Sequence, residues 1–196
     1  MTPDSAGDTY DISGIELSDE RYTVEQSLVR NKYRAENSAG ETVLQGAQKL
    51  FRAREEFPFT DGQGTDVFTV KAGGIIDIAG NYTLTDATTG EELVVLDNDY
   101  SIFRDVWTIR DADSGEVLAT ISSRGALVTL LRRTLPFGNI IPHKYSIEAP
   151  DGTAVGAIDG QLSVRDRYEV RLDRDAPVPR EPVLAAAMVI DAIQGN

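Results

Sequence analysis

Residues 182–193 read Pro182-Val-Leu-Ala-Ala-Ala-Met-Val-Ile-Asp-Ala-Ile193, and the rest of the chain has to accommodate them. Val183 through Ile190 is an unbroken apolar run. Pro182 suits the first position of a helix, where its missing N–H would be unpaired anyway. Ala, Leu and Met are strong helix formers, and Gly195 stands just past the end, where helices often stop. The stretch predicts a helix of about three turns over 182–193. No polar stripe runs along it, and a helix apolar all round is either enclosed by protein or in a membrane. A membrane span needs about 20 apolar residues; this run is shorter and is interrupted by Asp191. The helix is therefore expected to be enclosed by the rest of the chain.

The rest is repetitive. Ser101 to Ile121 contains an Arg-Asp pair, an aromatic residue opening an alternating run, a Gly-containing acidic turn and a second alternating run. The same elements recur around Tyr33, Phe57, Tyr82, Tyr145 and Tyr168. By subtraction the aromatic anchors at 33, 57, 82, 107, 145 and 168 lie 24, 25, 25, 38 and 23 residues apart. Two alternating runs joined by turn residues make a β-hairpin, and a fixed period indicates a repeat architecture. Strands are expected near 22–28, 32–37, 42–48, 56–60, 66–71, 81–85, 92–96, 106–111, 116–121, 144–148 and 153–158, and from 167 onward. A closed barrel of about twelve strands removes exposed edges. It also encloses more room than wall side chains can fill, so the apolar helix has a place as its plug. The small side chains Ala185, Ala186 and Ala187 would let strands approach closely. A solenoid or propeller would also repeat, but neither explains the terminal helix. The fold class is mainly β: a twelve-stranded antiparallel closed barrel of hairpin repeats around a central C-terminal hydrophobic helix.

Composition narrows function by exclusion. The 196 residues are 41% apolar, enough for the core of one domain. There is no cysteine and one histidine, His143, which excludes disulfides, thiolate metal sites and multi-histidine sites within one chain. The net charge of −13 argues against nucleic acid, which needs clustered cations. Lys occurs only at 32, 49, 71 and 144, so 19 minus 4 leaves 15 Arg. An acidic, Lys-poor surface is what high-salt cytoplasm selects, and it points to a halophilic archaeal source. Residues 1–21 read as an acidic N-terminal tail, with a short strand around Ile12 to Leu17, ahead of a single domain over 22–194. No basic-then-apolar leader or transmembrane segment is seen, so the expected location is cytoplasmic.

The order of these elements resembles the LURP-one-related family, whose fold is shared with the C-terminal domain of tubby proteins and with phospholipid scramblases. The residues that carry the resemblance are Ser101 to Gly115-Glu116, Leu162-Ser163-Val164-Arg165-Asp166-Arg167-Tyr168, and the closing Leu184 to Ile193. It covers about residues 22–194. The resemblance implies a tubby-like twelve-stranded barrel around a central hydrophobic helix and little about activity. Tubby domains bind phosphoinositide head groups through surface cations, and scramblase-like members are membrane-linked; no tubby cation matches a position here.

The gap of 38 residues between anchors 107 and 145 is where the chain leaves its own period. Residues 122–144 contain no acid but hold Arg124, Arg132, Arg133 and Lys144, with His143 beside them. Leu127, Leu130, Leu131 and Leu135 fall at helical spacing. Two readings stand: an interfacial segment with arginines toward phosphates, or a crossover that covers one barrel mouth with its arginines paired to acids. The Arg104-Asp105 and Arg165-Asp166 pairs are read as turn structure. Asp97-Asn98-Asp99 and Asp111 to Glu116 do not fit a twelve-residue calcium loop, and Gly62-Gln63-Gly64 and Gly73-Gly74 lack the helix a phosphate loop needs. His143 has no Gly-x-Ser-x-Gly elbow to serve and reads as a turn residue. The expected function is a non-enzymatic binding or scaffold module without catalytic residues, metal or cofactor. Its partner is an anionic lipid head group or a protein engaged through 122–144, with peripheral membrane association and a monomeric state. The alternative is a small-molecule-binding protein or enzyme with a carboxylate-based site at a barrel mouth.

Overall fold

The computed structural model describes residues 12, 15–27, 32–47, 49–51, 54–73, 82–100, 105–124, 144–161 and 167–194. The strands are β1 (Arg21–Gln26), β2 (Lys32–Glu36), β3 (Thr42–Ala47), β4 (Lys49–Phe51), β5 (Arg54–Thr60), β6 (Asp66–Ala72) and β7 (Tyr82–Asp86). They continue as β8 (Glu92–Tyr100), β9 (Asp105–Asp111), β10 (Val117–Ser123), β11 (Lys144–Glu148), β12 (Ala154–Gln161) and β13 (Arg167–Leu172), followed by helix α1 (Arg180–Gln194). Apart from β3 and β4, each strand pairs antiparallel with the next in the chain, β1 pairs with β13, and β3 closes the ring onto β5 through Gln45↔Thr60 and Gly46↔Phe59. Twelve strands form the closed barrel. The three-residue β4, which the sequence pattern does not show, is an added arm on β5.

The repeat has a physical meaning in the wall. Tyr33, Phe57, Tyr82, Trp107, Tyr145 and Tyr168 are all buried. They sit on inward-facing positions; the first five are on strands that lead into tight turns, and Tyr168 is on β13, which leads to the helix. Phe57 meets Tyr82 edge-on with ring centroids 6.4 Å apart, and Tyr82 meets Trp107 at 6.0 Å. The turns at the opposite end of these strands share one device. Asp61 Oδ1 accepts the Gln63 and Thr65 amides at 2.8 Å each, and Gly64 takes a φ of 89°. Asp111 Oδ1 likewise accepts from the Asp113 and Ser114 amides, and Gly115 has φ 72°. That left-handed backbone suits a residue without Cβ.

Helix α1 enters at this tight-turn end and is enclosed. Every side chain from Val183 to Ile190 is at most 2% exposed. It begins at Arg180, two residues before the expected start at Pro182, so Pro182 is the third helical residue. That position still lies in the first turn, where backbone N–H groups have no intrahelical acceptor. The Arg180 guanidinium donates to the carbonyls of Asp19, Asp173 and Arg174 at 2.9, 2.6 and 2.7 Å. Glu181 accepts the Leu17 amide at 2.9 Å. Ile12, Ile15 and Leu17, from the stretch expected as an N-terminal tail, are buried in the same core as the helix. They are apolar residues in a polar surround, and the helix mouth is where they find apolar partners.

Candidate functional site

The insertion in the period hangs from two described stems. β10 ends at Ser123 and β11 begins at Lys144; between them the Arg124 amide donates to the Lys144 carbonyl at 2.8 Å. This extends the Ser123↔Tyr145 pairing by one residue. Ser123 and Tyr145 are buried, so alternation turns Arg124 and Lys144 outward, and both are exposed.

The outward row holds one shared carboxylate. Lys144 stands directly opposite Asp159 of β12. Arg124 Nη1 lies 3.9 Å from Asp159 Oδ1, a loose ion pair. Arg171 of β13 pairs with Asp159 Oδ2 and also with Glu169 at 3.5 Å. Asp159 therefore has three cationic neighbours. Further round the barrel, Glu25 of β1 lies between Arg34 of β2, at 3.5 Å, and Arg167 of β13. Arg34 also reaches Glu36 at 3.1 Å. Among the side chains just named, five cations stand with four carboxylates, on a chain of net charge −13. The Arg124 and Arg171 side chains keep 42% and 44% of their surface in solvent, so their attraction to Asp159 is screened by water and salt.

Of the residues singled out from sequence, the structure brings Arg124 and Lys144 together. Arg132, Arg133 and His143 lie outside the described residues, as do Arg104, Arg165 and Asp166. Arg171 and Arg167 were not singled out as site residues. Their signal was the alternation Arg167-Tyr168-Glu169-Val170-Arg171, which marks them as outward on a strand, but only the tertiary pairing puts Arg171 beside Arg124. Asp105 opens β9; its amide donates to Ser123 Oγ at 3.1 Å and its carboxylate accepts from the Tyr145 hydroxyl at 3.4 Å. It is a buried wall residue. Asp97 and Asp99 point outward while Asn98 points inward, and Asp97 pairs with Arg110 at 2.7 Å, so these three cannot converge on one ion.

A groove of about 370 Å³ lies at the tight-turn end between Glu16, Glu41 and Asp61. Asp61 is committed there to turn amides, chiefly that of Thr65, which hold its carboxyl below the usual carboxylate range.

Comparison with known proteins adds to this geometry. The family profile described as LURP-one-related matches residues 42–191, that is 150 of 196 residues. The chain belongs to the LURP-one-related family. The matched span takes in the insertion and nearly all of α1. An X-ray structure of a protein from Arabidopsis thaliana has a similar fold, with a TM-score of 0.57 at 8% identity, covering 90% of this chain and 93% of the other. At that identity the likeness is one of fold alone. No curated protein matches the chain. No helix among the described residues is long and apolar enough to cross a membrane.

Proposed function

We propose that this LURP-one-related barrel is a non-enzymatic binding module whose cation-rich rim engages an anionic lipid surface. The observation that carries the reading is the crowding of Arg124, Lys144 and Arg171 around the single carboxylate of Asp159, at the stems of a segment that contains Arg132 and Arg133 and no acid. Each basic residue held near an anionic surface contributes about 1 kcal/mol, so a rim of four or five is enough for reversible, salt-sensitive attachment. The filled lumen supports a role without chemistry: α1 occupies the barrel interior that an enzyme of this shape would use. Closure of the wall supports a monomer, because the twelve-stranded ring has no free edge to pair. A cytoplasmic protein peripheral at the membrane fits this reading.

Flotation with vesicles of anionic or neutral phospholipid, at low and high salt, tests it. The chain should float with anionic vesicles at low salt and be released by salt. Arg132→Glu with Arg133→Glu should abolish flotation while the melting temperature is retained. Folded protein that floats with neither vesicle at either salt concentration would exclude the lipid surface and leave a protein partner, to be sought by pull-down.

A further inference from the structure

Strand β8 turns Val94, Leu96 and Asn98 into the barrel. Asn98 is 4% exposed, and neither the oxygen nor the nitrogen of its amide has a hydrogen-bond partner. Directly across the ladder stands Trp107 of β9, 1% exposed, whose indole N–H is also without a partner. Residues directly opposite on antiparallel strands bring their Cβ atoms to about 4.5–5.5 Å. The unmet groups therefore share one small region of the interior. Ile121 lies across Trp107 on the other side, the Tyr82 ring is 6.0 Å away, and the buried Asp105 and Ser123 stand two residues further along the inward face. Buried polar groups are almost always hydrogen-bonded, so this concentration of unmet capacity at one point marks a place for a polar guest.

The donors and acceptor define the guest. The indole only donates, while the Asn98 amide offers two N–H groups and one accepting oxygen. A fitting group must accept from Trp107 and donate to Asn98 Oδ1. An ammonium cannot accept. A carboxylate or phosphate cannot donate, and the buried Asp105 lies two residues along the same inward face of β9. A hydroxyl does both. We propose that Asn98 and Trp107 form an internal site for a neutral hydroxyl group, carried either by a water molecule or by a small alcohol. Water needs two to four polar partners in such a place, and this pair supplies that number.

Trp107 is the sole tryptophan, so its indole N–H gives one unambiguous resonance. On the full chain, paired NOESY and ROESY spectra should show a through-space cross-peak from that proton to a long-lived water, distinguished from proton exchange by sign. The peak should vanish in Asn98→Leu. Ethylene glycol provides the second arm. A saturable shift of the indole resonance in the wild type, missing in Asn98→Leu, identifies an alcohol-accepting site; a cross-peak to water without such a shift identifies a water site. If Asn98→Leu does not fold, Asn98→Ser, with its single hydroxyl, takes its place and should weaken the contact. The proposal is overturned if the wild type shows neither cross-peak nor shift, or if the cross-peak survives loss of the Asn98 amide unchanged.

Discussion

The two faces of β13 obey different rules. Inward, Tyr168, Val170 and Leu172 are at most 5% exposed and join a core that includes every side chain from Val183 to Ile190. Outward, Arg167, Glu169 and Arg171 keep 43%, 24% and 44% of their side-chain surface in solvent; Arg167 pairs with Glu25, and Arg171 with Asp159 and Glu169. Burying an aliphatic or aromatic side chain contributes about 1.5–3 kcal/mol, whereas an exposed ion pair contributes about 0–1 kcal/mol. The inner face therefore holds the barrel together, and the outer face is left free to carry whatever charge pattern function selects. That is why a cation-rich rim can exist on a strongly acidic chain at little cost to the fold.

The largest expected effect comes from breaking the inner face. Met188→Asp or Ile190→Asp places a carboxyl where no water and no cation reaches it, and the penalty of several kcal/mol consumes much of the roughly 5–15 kcal/mol by which domains are stable. Far-ultraviolet circular dichroism in high salt should show loss of the cooperative transition; a mutant that melts like the wild type would refute the enclosed helix.

A smaller cost follows from crowding the wall. A Cβ at Gly156 would run into the Arg171 carbonyl and come within 3.0 Å of Leu172 Cδ2 and 3.2 Å of Ile147 Cδ1. Backbone cannot swing aside as a side-chain end can. Gly156→Ala should lower stability by about 1–3 kcal/mol, read as a shift of the denaturant midpoint.

The outer face should respond less, and in a different measurement. Asp159→Asn removes the carboxylate that Arg124 and Arg171 share. Stability should change by no more than about 1 kcal/mol and only at low salt, while binding to anionic vesicles should strengthen because two arginines lose a shared internal partner. A loss of several kcal/mol instead would mean that the outer face, too, holds the barrel together.

The smallest effect belongs to the turns. Amide donors, first that of Thr65 and first that of Thr153, hold the Asp61 and Asp151 carboxyls below their ordinary values. A depressed carboxylate contributes stability that is fully present above the unfolded value of about 4 and is lost as pH falls through the folded one. The Thr65 and Thr153 amide resonances should therefore stay fixed from neutral pH down to about 4 and move only below it. Movement already near neutrality would show that these amides do not bind the carboxylates.

The barrel was legible because its signals are local and periodic. Alternation in strands such as Asp105 to Asp111, the aromatic anchors about 25 residues apart, and the apolar run Val183 to Ile190 each report burial without knowledge of any partner. The short arm β4 was not legible, since three residues cannot display a period. Nor was the burial of Ile12, Ile15 and Leu17: isolated apolar residues in a polar stretch look like a tail until the helix mouth they cover is known. The candidate rim was half legible. The cationic insertion stands out by composition, but the contribution of Arg171 depends on which strands become neighbours.

The sequence by itself determined the layer order, wall around helix, because side-chain alternation and an all-apolar helix leave few ways to remove so much apolar surface from water. Only the tertiary structure decided which charges share Asp159 and which polar side chains face each other inside. Register between strands fixes those pairs: a shift of one residue would turn every outward group inward. Register is set by the closure of the whole ring and by its turns, and no single strand encodes it.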